Sequence, residues 1–125
     1  MNILIVDDDH QIRKFVSRAL EDEGYDCETA ANGREALTRI DAGKFDVVLL
    51  DILMPEADGI QVLNELRTGT ARPELHVIAM SGGGEALPGW YAGNLMEMLG
   101  AEAVLYKPFS VDELLSKIPG TSLSN

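Results

Sequence analysis

The sequence predicts an α/β fold in which five short strands alternate with five helices, so the sheet is parallel and covered by helices on both faces. Three observations carry this. The apolar runs NILIV (2–6), VVLL (47–50) and HVIAM (76–80) have the length of strands buried on both faces. Between such runs the apolar spacing widens to the i, i+3, i+4 pattern of helices. Glycines and prolines punctuate the changes of period. Strands 1, 3 and 4 are continuously apolar and belong in the middle, while the more polar strands 2 and 5 belong at the edges, giving the order 2-1-3-4-5.

The first strand, 2–6, stops on three consecutive acids, Asp7 to Asp9. Ile12, Phe15, Val16, Ala19 and Leu20 then mark one face of a helix that Gly24 ends. DCETA (26–30) reads as an edge strand. Asn32 can cap the next helix with Glu35 three residues on, Ala36, Leu37 and Ile40 form its apolar stripe, and Gly43 closes it. The central strand 47–50 runs into Asp51. Pro55 bars a helix from starting at once, and Asp58-Gly59 reads as a turn into a helix with Ile60, Leu63 and Leu66 inward. Residues 68–73 form a loop. The fourth strand, 76–80, is followed by Ser81 and three glycines, and then by a loop carrying Pro88, Trp90 and Tyr91. A short helix around 94–99 is stopped by Gly100, and 103–106 is the fifth strand, ended by Lys107-Pro108. Ser110 caps the last helix with Glu113, turning Val111, Leu114, Leu115 and Ile118 inward until Pro119-Gly120 closes it. Residues 1–119 are expected to form one domain and 120–125 a flexible tail.

Composition narrows the function. Ten basic against twenty-one acidic side chains leave a net charge of −11 over 125 residues. Such a surface repels phosphate backbones, which argues against nucleic-acid binding and suits a metal ion or a basic partner patch. No apolar run is long enough to span a bilayer, and the three acids break any signal-peptide pattern. The one cysteine, Cys27, cannot form an internal disulfide. That fits a reducing compartment, and its expected role is a small buried hydrophobe. A cytoplasmic, membrane-free protein is expected.

The order 2-1-3-4-5 is that of flavodoxin-like (βα)5 three-layer sandwiches, where ligands bind beyond the carboxyl ends of the strands at the point of order reversal. Here that point lies between strands 1 and 3. Strand 1 delivers Asp7 and Asp8 there, strand 3 Asp51, strand 4 the hydroxyl of Ser81 and strand 5 the amine of Lys107. Strand 2, too distant to reach, ends in Ala30-Ala31. Singly, Asp51 could be a helix cap, Ser81 a turn residue and Lys107 a surface amine. Four strand ends converging on one rim favour a site. Crowded carboxylates repel one another, and a divalent cation relieves them; an all-oxygen ligand set selects Mg2+. With Lys107 also present, an anionic phosphoryl group can approach. Asp51 can then attack phosphorus and form an acyl phosphate, while Mg2+ and Lys107 offset charge on the equatorial oxygens and Ser81 donates to one of them.

VDDD at 6–9, DILMPEADG at 51–59, MSG at 80–82 and KPF at 107–109 resemble response regulator receiver domains, the phosphoacceptors of two-component signalling. The resemblance covers Asn2 to about Ile118. It implies that Asp51 takes its phosphoryl group from a histidine kinase or a histidine phosphotransfer protein. It implies that Asp8 and Asp51 ligate Mg2+ with the backbone carbonyl of Leu53, and that Asp7 acts mainly through water. It also implies a cis peptide before Pro108, aiming Lys107 inward. The sequence departs from the pattern in places. Val104 stands where an aromatic commonly sits, and Tyr106 returns to the same strand face one pleat later. Ser81 replaces a threonine. The segment from Ser81 to Lys107 is longer than usual, with SGGGEALPGWY where a helix normally begins. Gly82 to Gly84 read as a hinge, and Trp90 and Tyr91 as packing residues. Leu53 cannot hydrogen-bond an attacking water and Gly83 has no side chain to help, so self-dephosphorylation is expected to take minutes or longer.

The expected function is therefore a phosphorylation switch and not a turnover enzyme. Phosphorylation changes the face formed by the fourth helix, fifth strand and last helix. With no effector domain within the 125 residues, output is expected through a downstream protein partner or onward phosphotransfer. A Mg2+-dependent phosphatase with an aspartate nucleophile needs a second acid where Leu53 stands; turnover of a simple phosphate ester would revive it. A flavodoxin-like cofactor carrier needs a phosphate loop where Asp7 to Asp9 stand. A receiver-shaped interaction module without phosphate turnover is separated from the switch by a phosphorylation assay.

Overall fold

In the computed structural model, β1 (Asn2–Val6), β2 (Asp26–Ala30), β3 (Val47–Asp51), β4 (His76–Gly82) and β5 (Ala103–Lys107) form one parallel sheet in the order β2-β1-β3-β4-β5. The structure describes residues 1–52, 59–68, 75–82 and 100–120, with the side chains of residues 60, 63, 64, 67 and 68 set aside. Four helices lie within these residues: α1 (His10–Asp22), α2 (Gly33–Ala42), α3 (Gly59–Thr68) and α4 (Val111–Lys117).

Strand alternation builds two cores from one sheet. Leu4, Val6, Val48, Leu50, Val77, Ala79 and Val104 face one way and meet Ala36 and Ile40 of α2 and Val62 and Leu66 of α3. Ile3, Ile5, Val47, Leu49, Ile78, Met80 and Leu105 face the other way and meet Val16 and Leu20 of α1 and Leu114, Leu115 and Ile118 at α4. The continuously apolar central strands are thus apolar because both of their faces are covered. Burial of each large side chain contributes about 1.5–3 kcal/mol. The register aligns the strand ends, with Val6 opposite Leu50, Asp51 opposite Met80 and Gly82 opposite Lys107.

Helix ends follow local chemistry. Asn32 Oδ1 accepts from Glu35 N at 2.8 Å, and Ser110 Oγ from Glu113 N at 3.0 Å, as their capping sequences predict. Gly24, at φ +91°, takes the left-handed conformation that turns the chain from α1 into β2. Cys27 is half-buried in β2, and burial, with Glu21 and Asp26 nearby, pushes its thiol up to about 11.

Some expectations are corrected. Phe15 is not in the core: it is 40% exposed and packs against Phe109 with ring centroids 6.2 Å apart. It lies about 100° around the helix from Val16, so it falls on the margin of the stripe that Val16 and Leu20 centre. Val111 is likewise exposed, in the first turn of α4 before the helix meets the sheet. Among the described side chains of α3, Val62 and Leu66 are buried; the sequence pattern points to Leu66 but not to Val62. β4 and β5 run further than their apolar cores, taking in Ser81, Gly82 and Lys107. Thr68, expected to open a loop at 68–73, instead closes α3. The rest of that loop, the loop at 83–91, the helix at 94–99, the tail at 121–125, and Leu53, Pro55, Asp58, Trp90 and Tyr91 lie outside the described residues. So do the side chains of Ile60 and Leu63. Among the described residues no helix is long and apolar enough to cross a membrane.

Candidate functional site

The acids after β1 divide their work. Asp7 extends the sheet by one residue, its N–H donating to Ala30 O at 3.1 Å, and its side chain is fully buried. Asp9 caps α1: its Oδ1 accepts from Gln11 N at 2.8 Å, and its own N–H donates to Asp7 Oδ1 at 2.9 Å. Asp8, between them, is exposed. Arg13, one turn into α1, donates through Nη1 to the Asp7 carbonyl at 2.8 Å.

Asp51 is the last residue of β3, next to β1, and is buried. Helix α3 is seated close behind it: Gly59 N donates to Ile52 O at 3.2 Å. Ser81, fully buried, follows Met80, the β4 residue paired with Asp51. From β5, Lys107 reaches in. Its Nζ lies 2.7 Å from Asp7 Oδ2 and 3.5 Å from Asp51 Oδ2, with its side chain 20% exposed. The Lys107-Pro108 peptide is cis. Burial alone would lower the Lys107 pKa, but the hydrogen bond to Asp7 and the charges of Asp51 and Asp7 outweigh it and raise it.

Carboxylate oxygens of Asp7, Asp8 and Asp51 all lie within 4.8 Å of one another. Three carboxylates against one ammonium leave two negative charges in a mostly buried setting. The donors are hard oxygens. A divalent cation such as Mg2+ matches that set in charge and in ligand type.

Asp7, Asp8, Asp51 and Lys107 therefore meet as the strand pattern predicts, with Ser81 on the adjoining strand. Leu53, expected to offer its carbonyl, lies outside the described residues. Two features escaped the sequence reading. Asp9 stands directly before the helical period, which is the position of an N-cap, and that signal was legible. Arg13 gave none, because its partner is a backbone carbonyl. Tyr106 shares its strand face with Val104, as alternation requires; Val104 is buried and Tyr106 is 44% exposed.

The chain matches the family model described as the response regulator receiver domain over residues 3–119. The response regulator MprA of Mycolicibacterium vanbaalenii is 40% identical over 119 residues, covering 94% of this chain and 48% of that protein. The chain thus spans about half the length of the curated relatives it matches. Among solved structures, the Vibrio cholerae chemotaxis protein CheY4 is similar with a TM-score of 0.77 and 33% identity, over 92% of each chain. The receiver domain of the Francisella response regulator 1452 gives a TM-score of 0.79 and 35% identity, over 90% of this chain and 88% of that one. With its strand order, its acidic cluster and its inward lysine, the chain belongs to the response regulator receiver domains of two-component signalling.

Proposed function

We propose that the chain is a stoichiometric phosphorylation switch with Asp51 as its phosphoacceptor. A carboxylate oxygen of Asp51 attacks the phosphorus of a phosphohistidine on a histidine kinase or phosphotransfer protein. The O–P bond forms as the P–N bond breaks, and the electron pair leaves with the imidazole, which takes up a proton. Lys107 offsets charge gathering on the phosphoryl oxygens, and the Ser81 hydroxyl donates to one of them once the acyl phosphate exists. Asp8, Asp51 and the Leu53 carbonyl, with Asp7 acting through water, would hold Mg2+, which when bound neutralises charge on the phosphoryl group.

One observation carries the reading: Lys107 Nζ stands 2.7 Å from Asp7 and 3.5 Å from Asp51 inside a carboxylate cluster 4.8 Å across. That is a cationic arm beside a buried nucleophile, in a cluster still two charges short of neutral. The new phosphate charge shifts a pre-existing equilibrium of the domain and alters the surface offered to a downstream protein. The switching unit is residues 1–119, working in the cytoplasm, with 120–125 outside it.

The test is incubation with acetyl phosphate, with and without Mg2+, followed by intact mass. One added phosphoryl group per chain is expected with the metal, and none without it or in Asp51→Asn. An unmodified wild-type chain, or a phosphorylated Asp51→Asn variant, would reject the reading.

A further inference from the structure

A buried carbonyl at the end of a sheet must find a donor. In a parallel pair the N–H and C=O of one residue face the same neighbouring strand. Since Asp7 N donates to Ala30 O at 3.1 Å, the ladder would next offer the Asp7 carbonyl the N–H of Asn32. β2 ends at Ala30, however, and Asn32 leaves the sheet to cap α2. The donor that meets the Asp7 carbonyl comes instead from α1: Arg13 Nη1, at 2.8 Å.

The peptide held in this way joins the two carboxylate-bearing residues Asp7 and Asp8. It is planar, so fixing its carbonyl fixes the direction in which the Asp8 backbone departs. Asp7 is pinned on every side: its N–H to Ala30, its carbonyl by Arg13, Oδ1 by Asp9 N at 2.9 Å and Oδ2 by Lys107 at 2.7 Å. Asp8 is exposed and gains its aim from this anchored neighbour.

We infer that Arg13 is a positioning residue for the cation site. It locks the Asp7–Asp8 peptide so that the Asp8 carboxylate stays turned toward Asp51. This rests on the Mg2+ reading above. The guanidinium is also a positive charge beside the site, and as a bare charge it would repel Mg2+. Positioning and repulsion predict opposite signs when Arg13 is replaced, which makes the inference decidable.

The experiment is calorimetric titration of wild type, Arg13→Gln and Arg13→Lys with MgCl2, alongside thermal unfolding of each metal-free protein. Gln removes the charge; Lys keeps it on a stem one bond shorter that ends in a compact ammonium. Positioning predicts that both variants bind Mg2+ about tenfold more weakly. It also predicts that their phosphorylation rate with acetyl phosphate returns to the wild-type value at saturating Mg2+. Tighter binding by Arg13→Gln with unchanged binding by Arg13→Lys would reduce Arg13 to a charge and overturn the inference. Unchanged affinity with a lowered Tm would reduce it to structural support and overturn the inference equally. A phosphorylation deficit that persists at saturating Mg2+ would also overturn it. If wild type itself binds no Mg2+, the cation reading falls and takes this inference with it, a result distinguishable from the others without any variant.

Discussion

Replacing Gly59 by alanine tests how α3 is seated behind the reacting carboxylate. The helix begins at Gly59, whose N–H donates to Ile52 O at 3.2 Å. A methyl group on Gly59 would overlap the Asp51 carbonyl oxygen and Ile52 Cα, and would lie 2.9 Å from the Asp51 carbonyl carbon. All three are backbone atoms and cannot rotate away. Relief requires α3 to lift from the end of β3, weakening the Gly59–Ile52 bond and shifting Asp51. Overpacking of this kind costs about 1–3 kcal/mol, and the weakened bond costs about 1 kcal/mol more. The better helix propensity of alanine returns up to about 1 kcal/mol. The net loss is roughly 2 kcal/mol, or about 8 °C in Tm at roughly 4 °C per kcal/mol. Urea unfolding followed by circular dichroism measures it, with the m-value expected to stay constant. Because two of the three atoms belong to Asp51, the rate of phosphorylation by acetyl phosphate should fall as well. A variant within about 0.5 kcal/mol of wild type and phosphorylated at the same rate would refute the close seating of α3.

Lys107→Met should cost roughly 2 kcal/mol at neutral pH, less than the loss of one partner from a fully buried ion pair because the lysine side chain is 20% exposed. The pH dependence has a definite sign. The lysine pKa is raised in the folded state, so its stabilisation is complete below the unfolded value of about 10.4 and is lost as pH rises through the folded value. Urea midpoints taken through the alkaline range should therefore fall more steeply for wild type than for Lys107→Met; parallel curves would remove the lysine from the balance. Leu53→Asn supplies a side chain able to hydrogen-bond an attacking water and should shorten the lifetime of the phosphorylated state, read as loss of the added mass with time. An unchanged decay rate would defeat that role for position 53.

What the sequence disclosed, and what it withheld, follows from where each signal is written. β1, β3 and β4 were legible because burial on both faces demands unbroken apolar runs, and from those runs the strand order followed. Asp51 was legible because it ends such a run, and Lys107 because it directly follows the short fifth strand predicted at 103–106 and precedes Pro108, so their place at the rim is a matter of counting. The margins of helices were not. Phe15 and Val111 carry the right period but sit where α1 and α4 meet solvent, and periodicity gives the direction of a stripe better than its width. Val62 was hidden by neighbours with an equally apolar spacing. Arg13 was invisible for a different reason: its bond goes to a carbonyl, and every residue has one of those.

The most direct test of the central claim is to locate the phosphoryl group chemically. Borohydride reduction of the phosphorylated chain converts an aspartyl phosphate to homoserine, which tandem mass spectrometry places in the sequence. Homoserine at position 51 alone is the predicted result. Homoserine at position 7 or 8, or none in a chain that carries the added mass, would contradict the account.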